Sequence, residues 1–272
     1  MGEIATEYQD CLVTFIDILG FRELLATQPA SQIAEHLQLF RRVSGVKNGQ
    51  RQGTDTEHKS ATRIETISDA IVRIVPDQEH DSYTGSRIYD EVLSLVEIQI
   101  ECLQRGLLVR GATAFGSVHI PRGHEGPIFG PALVEAFEME SREVVYPRVA
   151  IHADVIARNR KSADPHLVES FEHDNFMLEV LLSRDGLGLY YVDYLKVVSD
   201  NRYSGDVEMV GFLSQHKALI ERGLSMPSGA VRRKYNWLCD YHNASIGNII
   251  NHSWDYRWDL PPAEGKGLLI EM

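Results

Sequence analysis

The chain has 272 residues, a formal net charge of −12 at pH 7, and 43% hydrophobic residues. That length and apolar content suit a folded protein of one large domain or two modest ones rather than a disordered chain. A surface for long nucleic acids needs basic charge, so the acidic composition argues against a nucleic-acid partner. A small polyphosphate ligand is still compatible with this charge, because bound metal ions reverse the local potential.

Cysteine content and hydropathy predict a cytoplasmic protein. The three cysteines, Cys11, Cys102 and Cys239, are far apart and form no CxxC pair, so neither a disulfide framework nor a zinc site is expected. No apolar run approaches the roughly 20 residues that span a bilayer, so no membrane partner is expected. The acidic segment 1–10 lacks the pattern of a signal peptide.

The first half of the chain alternates strand and helix patterns. Residues 12–19 form a short apolar run that predicts a buried strand, and residues 22–43 have helical periodicity interrupted by a proline. Residues 63–75 predict two strands joined by a tight turn at Ser68 and Asp69. The predicted elements that follow are helix 86–105, strand 107–120, loop 121–131, helix 132–142 and strand 148–151.

This order of elements predicts an α+β fold, an open sheet with helices packed on it. Residues 47–62 and 162–175 are polar and predict loops. Residues 187–198 predict a final strand pair or one long strand, and the pattern beyond them becomes helical. We therefore predict a main domain over residues 1–204 and a C-terminal helical extension, residues 205–272, packed on it.

Two aspartates stand out because of their positions. Asp17 interrupts an apolar strand pattern, where a buried carboxylate is costly unless it is paired or binds a metal ion. Asp69 lies at the tip of the predicted hairpin, and each residue alone has an ordinary structural explanation. A strand and a neighbouring hairpin can bring two carboxylates together, and divalent ions relieve the resulting repulsion. The pair therefore fits two-metal phosphoryl chemistry, in which carboxylates and substrate phosphates share the ions.

Four motifs in order give residues 12–151 a resemblance to the class III nucleotide cyclases. The first resembles that family's metal-binding strand, usually F-x-D-I-x-G-F, and the second its guanylate cyclase form E-T-V-G-D-A with serine in place of glycine. The third and fourth fit a later strand and helix of the family more loosely. The motifs are FIDILGF at 15–21, ETISDA at 65–70, Arg110 with Gly116, and IFG at 128–130 followed by MES at 139–141.

A closer resemblance is to the bacterial pyrimidine cyclases of Pycsar anti-phage defence. It rests on segments spread over most of the chain, including its C-terminal part. These segments are VRGA at 109–112, IFGPAL at 128–133, EME at 138–140, YPR at 146–148, KYNWL at 234–238 and YHN at 241–243.

The resemblance implies a ferredoxin-like catalytic domain over residues 1–204, and a nucleoside triphosphate as substrate. Catalysis would use two divalent ions, Mg²⁺ or Mn²⁺, in a homodimer with composite active sites, and a separate cyclic-nucleotide-binding effector would read the product. For the partner side of such a site, Arg110 is the predicted contact, with an ordinary ion pair as its alternative. The implied metal ligands are Asp17, Ile18 and Asp69, of which Asp17 and Asp69 are catalytic, and the implied substrate contacts are Gly20, Phe21, Arg22, Glu65, Arg110, Pro127 and Phe129.

The base preference rests on three of these positions. Glu65 can only accept hydrogen bonds, so it tolerates uracil, cytosine and guanine. Pro127 and Phe129 would narrow the pocket toward a single ring, which favours a pyrimidine, and the resemblance favours UTP over CTP. Two alternatives stay open, a guanylate cyclase and a degenerate cyclase that only senses nucleotide. The second is motivated by Val134 and Glu138, which stand where most class III cyclases have a transition-state Asn and Arg.

Overall fold

A computed structural model describes most of the chain. The described residues are 7–45, 62–77, 84–121, 126–161, 176, 178–200, 208–251 and 262–271. The predicted loops 47–62 and 162–175 therefore lie almost wholly outside the described residues, as does part of loop 121–131. No helix in the described part of the chain is long and apolar enough to cross a membrane.

Seven strands form a single sheet in the order β2-β3-β1-β4-β5-β7-β6. The neighbouring strands are antiparallel except β4 and β5, which are parallel. The strands are β1 Gln9–Ile18, β2 Arg63–Ile67, β3 Ala70–Pro76, β4 Val109–Val118, β5 Val149–Ile151, β6 Leu182–Arg184 and β7 Tyr190–Val192.

Nine labelled helices accompany the sheet in the described residues, and a further helical turn covers residues 178–181. Gly20 begins the first helix with a φ of 82°, a left-handed conformation that glycine adopts at little cost. The helices are α1 Phe21–Thr27, α2 Ala30–Ser44, α3 Thr84–Gln104, α4 Pro131–Arg142, α5 Ala153–Lys161, α6 Tyr194–Ser199, α7 Met209–Leu224, α8 Gly229–Asn251 and α9 Pro262–Leu268.

The first four strands and their helices form a ferredoxin-like unit. The chain runs β1, α1 and α2, β2, β3, α3, β4, and the strand order β2-β3-β1-β4 makes two split βαβ units of it. This confirms the predicted α+β fold with an open sheet and packed helices. The predicted hairpin turn is also confirmed, since Ser68 and Asp69 separate β2 from β3.

The alternation of side chains along β1 separates two cores. Leu12, Ile16 and Ile18 point into the larger core, which α2, α3 and the C-terminal helices cover. Cys11 and Val13 point into a smaller core on the other face, under α4. Because Asp17 has the same parity as Cys11 and Val13, its side chain lies on the α4 face of the sheet.

A buried ionic cluster, here the core cluster, crosses the larger core. It consists of Arg73 on β3, Glu91 on α3, and the threonines Thr14 and Thr113. The Arg73 guanidinium donates two hydrogen bonds to the Glu91 carboxylate, at 2.8 and 2.7 Å. Thr14 donates to the same carboxylate at 3.0 Å and is 3.1 Å from the Thr113 hydroxyl. The cluster fixes α3 against the centre of the sheet.

The helices of the C-terminal segment pack into the larger core rather than standing apart from it. A chain of hydrogen bonds also joins them. His242 donates through Nε2 to the Leu268 carbonyl, which can only accept. Its Nδ1 must then accept from His216 Nδ1 at 2.9 Å, and His216 Nε2 accepts from the Tyr194 hydroxyl at 2.9 Å. The division of the chain at residue 205 stays a prediction.

The prediction for residues 187–198 was partly wrong. A strand pair is present, but it begins at Leu182, and residues 194–199 are helical rather than extended. The reason is Asp193, whose carboxylate accepts a hydrogen bond from the Lys196 backbone N–H and caps a helix there. The apolar pattern of that segment fits a buried helix as well as a buried strand.

Candidate active site

Asp17, Arg110 and Glu140 meet on the α4 face of the sheet. Asp17 lies opposite Arg110 in the β1–β4 register, and its Oδ2 is 3.3 Å from an Arg110 terminal nitrogen. The Arg110 Nε lies 2.7 Å from Oε1 of Glu140, on α4, although neither of these two buried atoms is aligned for a hydrogen bond. A Cβ at Gly111 would lie 2.5 Å from the Phe15 carbonyl oxygen, so glycine there lets β4 approach β1 closely.

Asp69 completes what is here called the site cluster: Asp17, Asp69, Arg110 and Glu140. The hairpin is tied to β1 because the Ile18 N–H donates to the Asp69 carbonyl at 3.3 Å. Burial, a hydrogen bond to the Asp69 carboxylate and repulsion from it raise the pKa of Asp17 from 3.8 to about 7. Arg110 opposes this rise without cancelling it. The structure therefore brings the two predicted catalytic carboxylates together, close enough for Asp69 to raise the pKa of Asp17.

Arg110 belongs to the same chain's cluster, so its predicted place on the partner side of a composite site is wrong. The alternative reading, an ion pair with an acidic side chain, is the arrangement in the structure. The physical reason is the register, which sets Arg110 directly opposite Asp17 on one sheet face. A contact between Arg110 and substrate phosphate stays a prediction.

The residues that follow Asp17 differ in what they can offer a ligand. Ile18 and Phe21 are buried in the larger core, so only their backbone groups could reach a ligand. Gly20 and Arg22 are exposed. The predicted roles of Ile18 as a carbonyl ligand and of residues 20–22 as phosphate contacts stay predictions.

Glu65 lies on the same sheet face as Asp17 but two strands away, on the edge strand β2. Its partner in β3 is Val72, which in turn pairs with Phe15 of β1. Its side chain is 44% exposed and forms an ion pair with Arg63 at 2.7 Å. Within one chain, the predicted base-reading carboxylate therefore contacts Arg63 and not the site cluster.

Pro127 and Phe129 lie at the other end of the sheet. Phe129 forms a bridge with His119, just beyond the end of β4, whereas Asp17 pairs with Arg110 at the start of that strand. Arg110 and His119 are nine residues apart along an extended chain, which corresponds to roughly 30 Å. Both side chains are exposed. The expectation that they flank the base beside Glu65 therefore fails within one chain, because the antiparallel register carries them away from Asp17.

Two charged residues near Asp17, Glu140 and Lys234, are not among the site residues predicted from the sequence. Glu140 is 2% exposed, and burial raises its pKa although Arg110 and Lys234 favour the charged form. Lys234, on α8, interacts electrostatically with Arg110, Asp17 and Glu140. Glu140 belongs to the MES motif, which was a signal for it. For Lys234 the sequence offered only its membership of the KYNWL segment. Packing of a helix that is distant in sequence leaves no local pattern that would reveal it.

The donor set around Asp17 fits a divalent ion shared with a substrate. Among the described residues, no three His, Cys, Asp or Glu side chains form a group that could hold a metal ion by themselves. Two carboxylates and a backbone carbonyl are instead the partial set that Mg²⁺ uses when phosphate oxygens and water supply the remaining ligands. Asp17, Asp69 and the Ile18 carbonyl would hold such ions, and an ion bound there would take the place of the proton that the raised pKa keeps on Asp17.

Comparisons with known proteins add little to this geometry. No family model matches the chain, and no curated protein matches it. Among solved structures, it is similar to the monomeric crystal structure of a double mutant of the guanylyl cyclase domain of the RhoGC fusion protein from the aquatic fungus Blastocladiella emersonii. That similarity has a TM-score of 0.42 and 16% sequence identity, and covers 70% of this chain and 97% of the other. At these values it carries no argument about function.

Proposed function

We propose that the chain is a nucleotide cyclase that converts a nucleoside triphosphate to its 3′,5′-cyclic monophosphate and pyrophosphate. The observation that carries the proposal is the proximity of the Asp17 and Asp69 carboxylates, which together with burial raises the pKa of Asp17. The two carboxylates lie at the end of β1 and at the hairpin tip, the two positions that the cyclase-like motifs assign to metal ligands. Two carboxylates this close repel each other when both are charged, and a divalent ion relieves that repulsion.

The proposed reaction is an in-line displacement at the α-phosphorus. The 3′-hydroxyl loses its proton to solvent water, the bond from O3′ to the α-phosphorus forms, and the bond from that phosphorus to the bridging oxygen of the pyrophosphate breaks. Two Mg²⁺ or Mn²⁺ ions, when bound at Asp17, Asp69 and the Ile18 carbonyl, would make the hydroxyl more acidic and offset the charge of the triphosphate. Arg110 forms ion pairs with Asp17 and Glu140 and would orient the Asp17 carboxylate for the ions.

For the base, we propose a pyrimidine, with UTP preferred to CTP. Glu65 accepts the N3–H of uracil or the amino group of cytosine, but it accepts from guanine as well. Support for the pyrimidine comes from Pro127 and Phe129, whose rigid side chains would narrow a pocket, and from the resemblance to pyrimidine cyclases of anti-phage defence. The product would then be a second messenger for a separate effector protein.

A homodimer with composite sites would reconcile the separated residues. Glu65, Pro127 and Phe129 lie away from the chain's own Asp17, on surfaces exposed in one chain. The outer side of α4 and its neighbourhood also expose large apolar side chains, namely Phe129, Val134 and Phe137. A two-fold contact through this face would bury that surface and bring one chain's base-reading residues to the partner's site cluster.

The activity is tested by incubating the purified chain with Mn²⁺ and each of the four nucleoside triphosphates separately, with products identified by mass. The proposal expects a cyclic pyrimidine nucleotide and pyrophosphate. Cyclic GMP as the main product would make the chain a guanylate cyclase and refute the base assignment. Absence of any cyclic product, with nucleotide binding retained, would favour the alternative of a degenerate cyclase that only senses nucleotide.

The composite site is tested by mixing two inactive variants, Asp17→Asn and Glu65→Ala. If Glu65 serves the partner's site cluster, a mixed dimer contains one site with both native residues, and part of the activity returns. Continued inactivity of dimers shown to be mixed would place Glu65 elsewhere. A strictly monomeric active enzyme would refute the dimer altogether.

A further inference from the structure

Lys234, on helix α8, is a cation close to the site cluster. Lys234 is half-buried and lies within electrostatic range of Asp17 and Glu140. Its ammonium makes no hydrogen bond or ion pair with another residue in the described part of the chain. Arg110, in contrast, is engaged by two carboxylates. Of these two cations, Lys234 is the one that can bind a ligand without giving up an ion pair within the described residues.

The position of α8 is set by an aromatic contact beside the cluster. Trp237, one helical turn after Lys234, stacks on Tyr146 with ring centroids 5.3 Å apart and an interplanar angle of 9°. The Arg148 guanidinium lies 5.5 Å from the centre of the Trp237 ring. Tyr146 follows closely after Val144, whose carbonyl accepts a hydrogen bond from Arg110 at 3.4 Å. The loop that contacts Arg110 therefore also docks the helix that carries Lys234.

The contact between Arg110 and Glu140 is an ion pair at 2.7 Å without hydrogen-bond alignment. Glu140 Oε1 and Arg110 Nε are buried without an aligned hydrogen-bond partner among the described residues. Buried polar atoms are normally satisfied, and such exceptions mark places where a ligand or ion completes the network. On α4, Glu138 offers no cation, since it is acidic and pairs with Arg142 of its own helix at 3.2 Å.

From these contacts we infer that Lys234 is a phosphate-binding residue, which contacts the triphosphate of the nucleotide bound at Asp17 and Asp69 of the same chain. The inference rests on the proposed function and adds to it a cation from a helix outside the cyclase-like segment. An ammonium is a strong donor to phosphate oxygens. In the ligand-free protein, the same ammonium offsets part of the negative charge of Asp17 and Glu140.

The test is equilibrium binding of analogues that cannot cyclise, the 3′-deoxy forms of UTP and GTP, with Mn²⁺ present. Lys234→Met is expected to weaken binding of the triphosphate that the wild type prefers by about tenfold, the loss of one charge-assisted hydrogen bond. Binding of the matching 3′-deoxy monophosphate should change less than about twofold, because the removed contact is to the distal phosphates. Lys234→Arg should stay close to wild type, and Arg233→Met, which removes an exposed neighbouring cation, is the control.

Equal triphosphate affinity of Lys234→Met and wild type would overturn this assignment and leave the proposed cyclase intact. A wild-type chain that binds neither analogue and forms no cyclic product would overturn both. A second measurement addresses the same-chain placement, by mixing Asp17→Asn and Lys234→Met chains. Because each mixed dimer then has one defect in each site, the mixture should be no more active than the Lys234→Met chains alone when the triphosphate is kept well below its wild-type Kd. Recovery of activity would show that Lys234 serves the partner's site.

Discussion

The two faces of β1 carry two ionic clusters built in opposite ways. In the core cluster, the Arg73 and Glu91 side chains are 4% and 3% exposed and are joined by two well-aligned hydrogen bonds. In the site cluster, Arg110 and Asp17 are 24% and 19% exposed and 3.3 Å apart, and the Glu140 contact lacks hydrogen-bond alignment. Both clusters use side chains of β1 and β4, so these two strands alone do not explain the difference in burial and alignment.

The core cluster is complete within the chain, and its carboxylate is fully satisfied by arginine and threonine donors. The site cluster brings at least two carboxylates together and leaves Asp17 with a raised pKa. Arrangements of the first kind position a helix, whereas those of the second kind are poised to accept a cation or a ligand. Substitutions on each face of β1 test this difference between the two clusters.

The largest effect is expected in the core cluster. Glu91→Ala leaves the Arg73 guanidinium buried without its counter-ion, which costs about 3–5 kcal/mol of unfolding free energy. Urea denaturation measures this loss, with Glu35→Ala, an exposed glutamate on α2, as a control that should change stability by less than about 0.5 kcal/mol. A loss below about 1 kcal/mol for Glu91→Ala would mean that the pair does not support the fold.

On the site face, removing a charge should stabilise the protein. Asp17→Asn relieves burial of a carboxylate and its repulsion from Asp69, and we expect a gain of about 1–3 kcal/mol in the metal-free protein at pH 8. Denaturant unfolding in the presence of a chelator measures it, with Asp240→Asn on the exposed side of α8 as the control. A loss of stability would show instead that Asp17 is a structural ion-pair partner of Arg110.

The stability difference between Asp17→Asn and the wild type should depend on pH. The folded-state pKa of Asp17 is raised from 3.8 to about 7, so the folded chain holds a proton that the unfolded chain has already released. The stability from this proton is fully present below pH 3.8 and is lost as the pH rises through about 7. The advantage of Asp17→Asn over wild type should therefore be absent at low pH, grow through that interval and level off above it. A constant difference across the series would contradict the raised pKa of Asp17.

A divalent ion must displace that proton. Stabilisation of the wild type by Mn²⁺, measured as the shift in melting temperature, should therefore weaken as the pH falls below about 7, with the apparent affinity falling about tenfold per pH unit. Asp17→Asn should show little shift at any pH. An Mn²⁺ shift that survives in this variant would place the ion elsewhere.

The smallest effect is expected at the hairpin tip. Ser68 has a φ of 56°, in the left-handed region, where the guanylate cyclase form of the motif has glycine. Ser68→Gly removes a conformational cost but adds chain entropy in the unfolded state, so we expect a net gain of about 0.5 kcal/mol. Thermal unfolding measures it, and a clear loss of stability would show that the serine side chain supports the turn.

Local patterns in the sequence predicted most of the fold. The apolar run of β1, the proline between α1 and α2, and the turn at Ser68 and Asp69 each have a short-range physical cause, and each prediction is confirmed. Residues 194–199 failed because a capping interaction from Asp193, not the apolar pattern, decides between helix and strand there. Hydrophobic patterns do not distinguish buried helices from buried strands over short lengths.

The site was only partly predictable for a different reason. Asp17 and Asp69 could be paired because they lie on neighbouring elements, whereas the contact between Arg110 and Glu140 depends on how α4 crosses the sheet. The separation of Phe129 from Asp17 follows from the register of β1 and β4, and the approach of Lys234 from the stacking of Trp237 on Tyr146. These are long-range packing relations, which motifs read one at a time do not contain.

We propose above all that Asp17 and Asp69 form a metal-dependent centre for nucleotide cyclisation. The most direct test compares the wild type with Asp69→Asn, both incubated with Mn²⁺ and an equimolar mixture of ATP, GTP, CTP and UTP, with products resolved by mass. We predict a cyclic pyrimidine monophosphate and pyrophosphate from the wild type, and neither product from Asp69→Asn at equal or greater thermal stability. Cyclic product formed by Asp69→Asn at the wild-type rate would contradict this proposal.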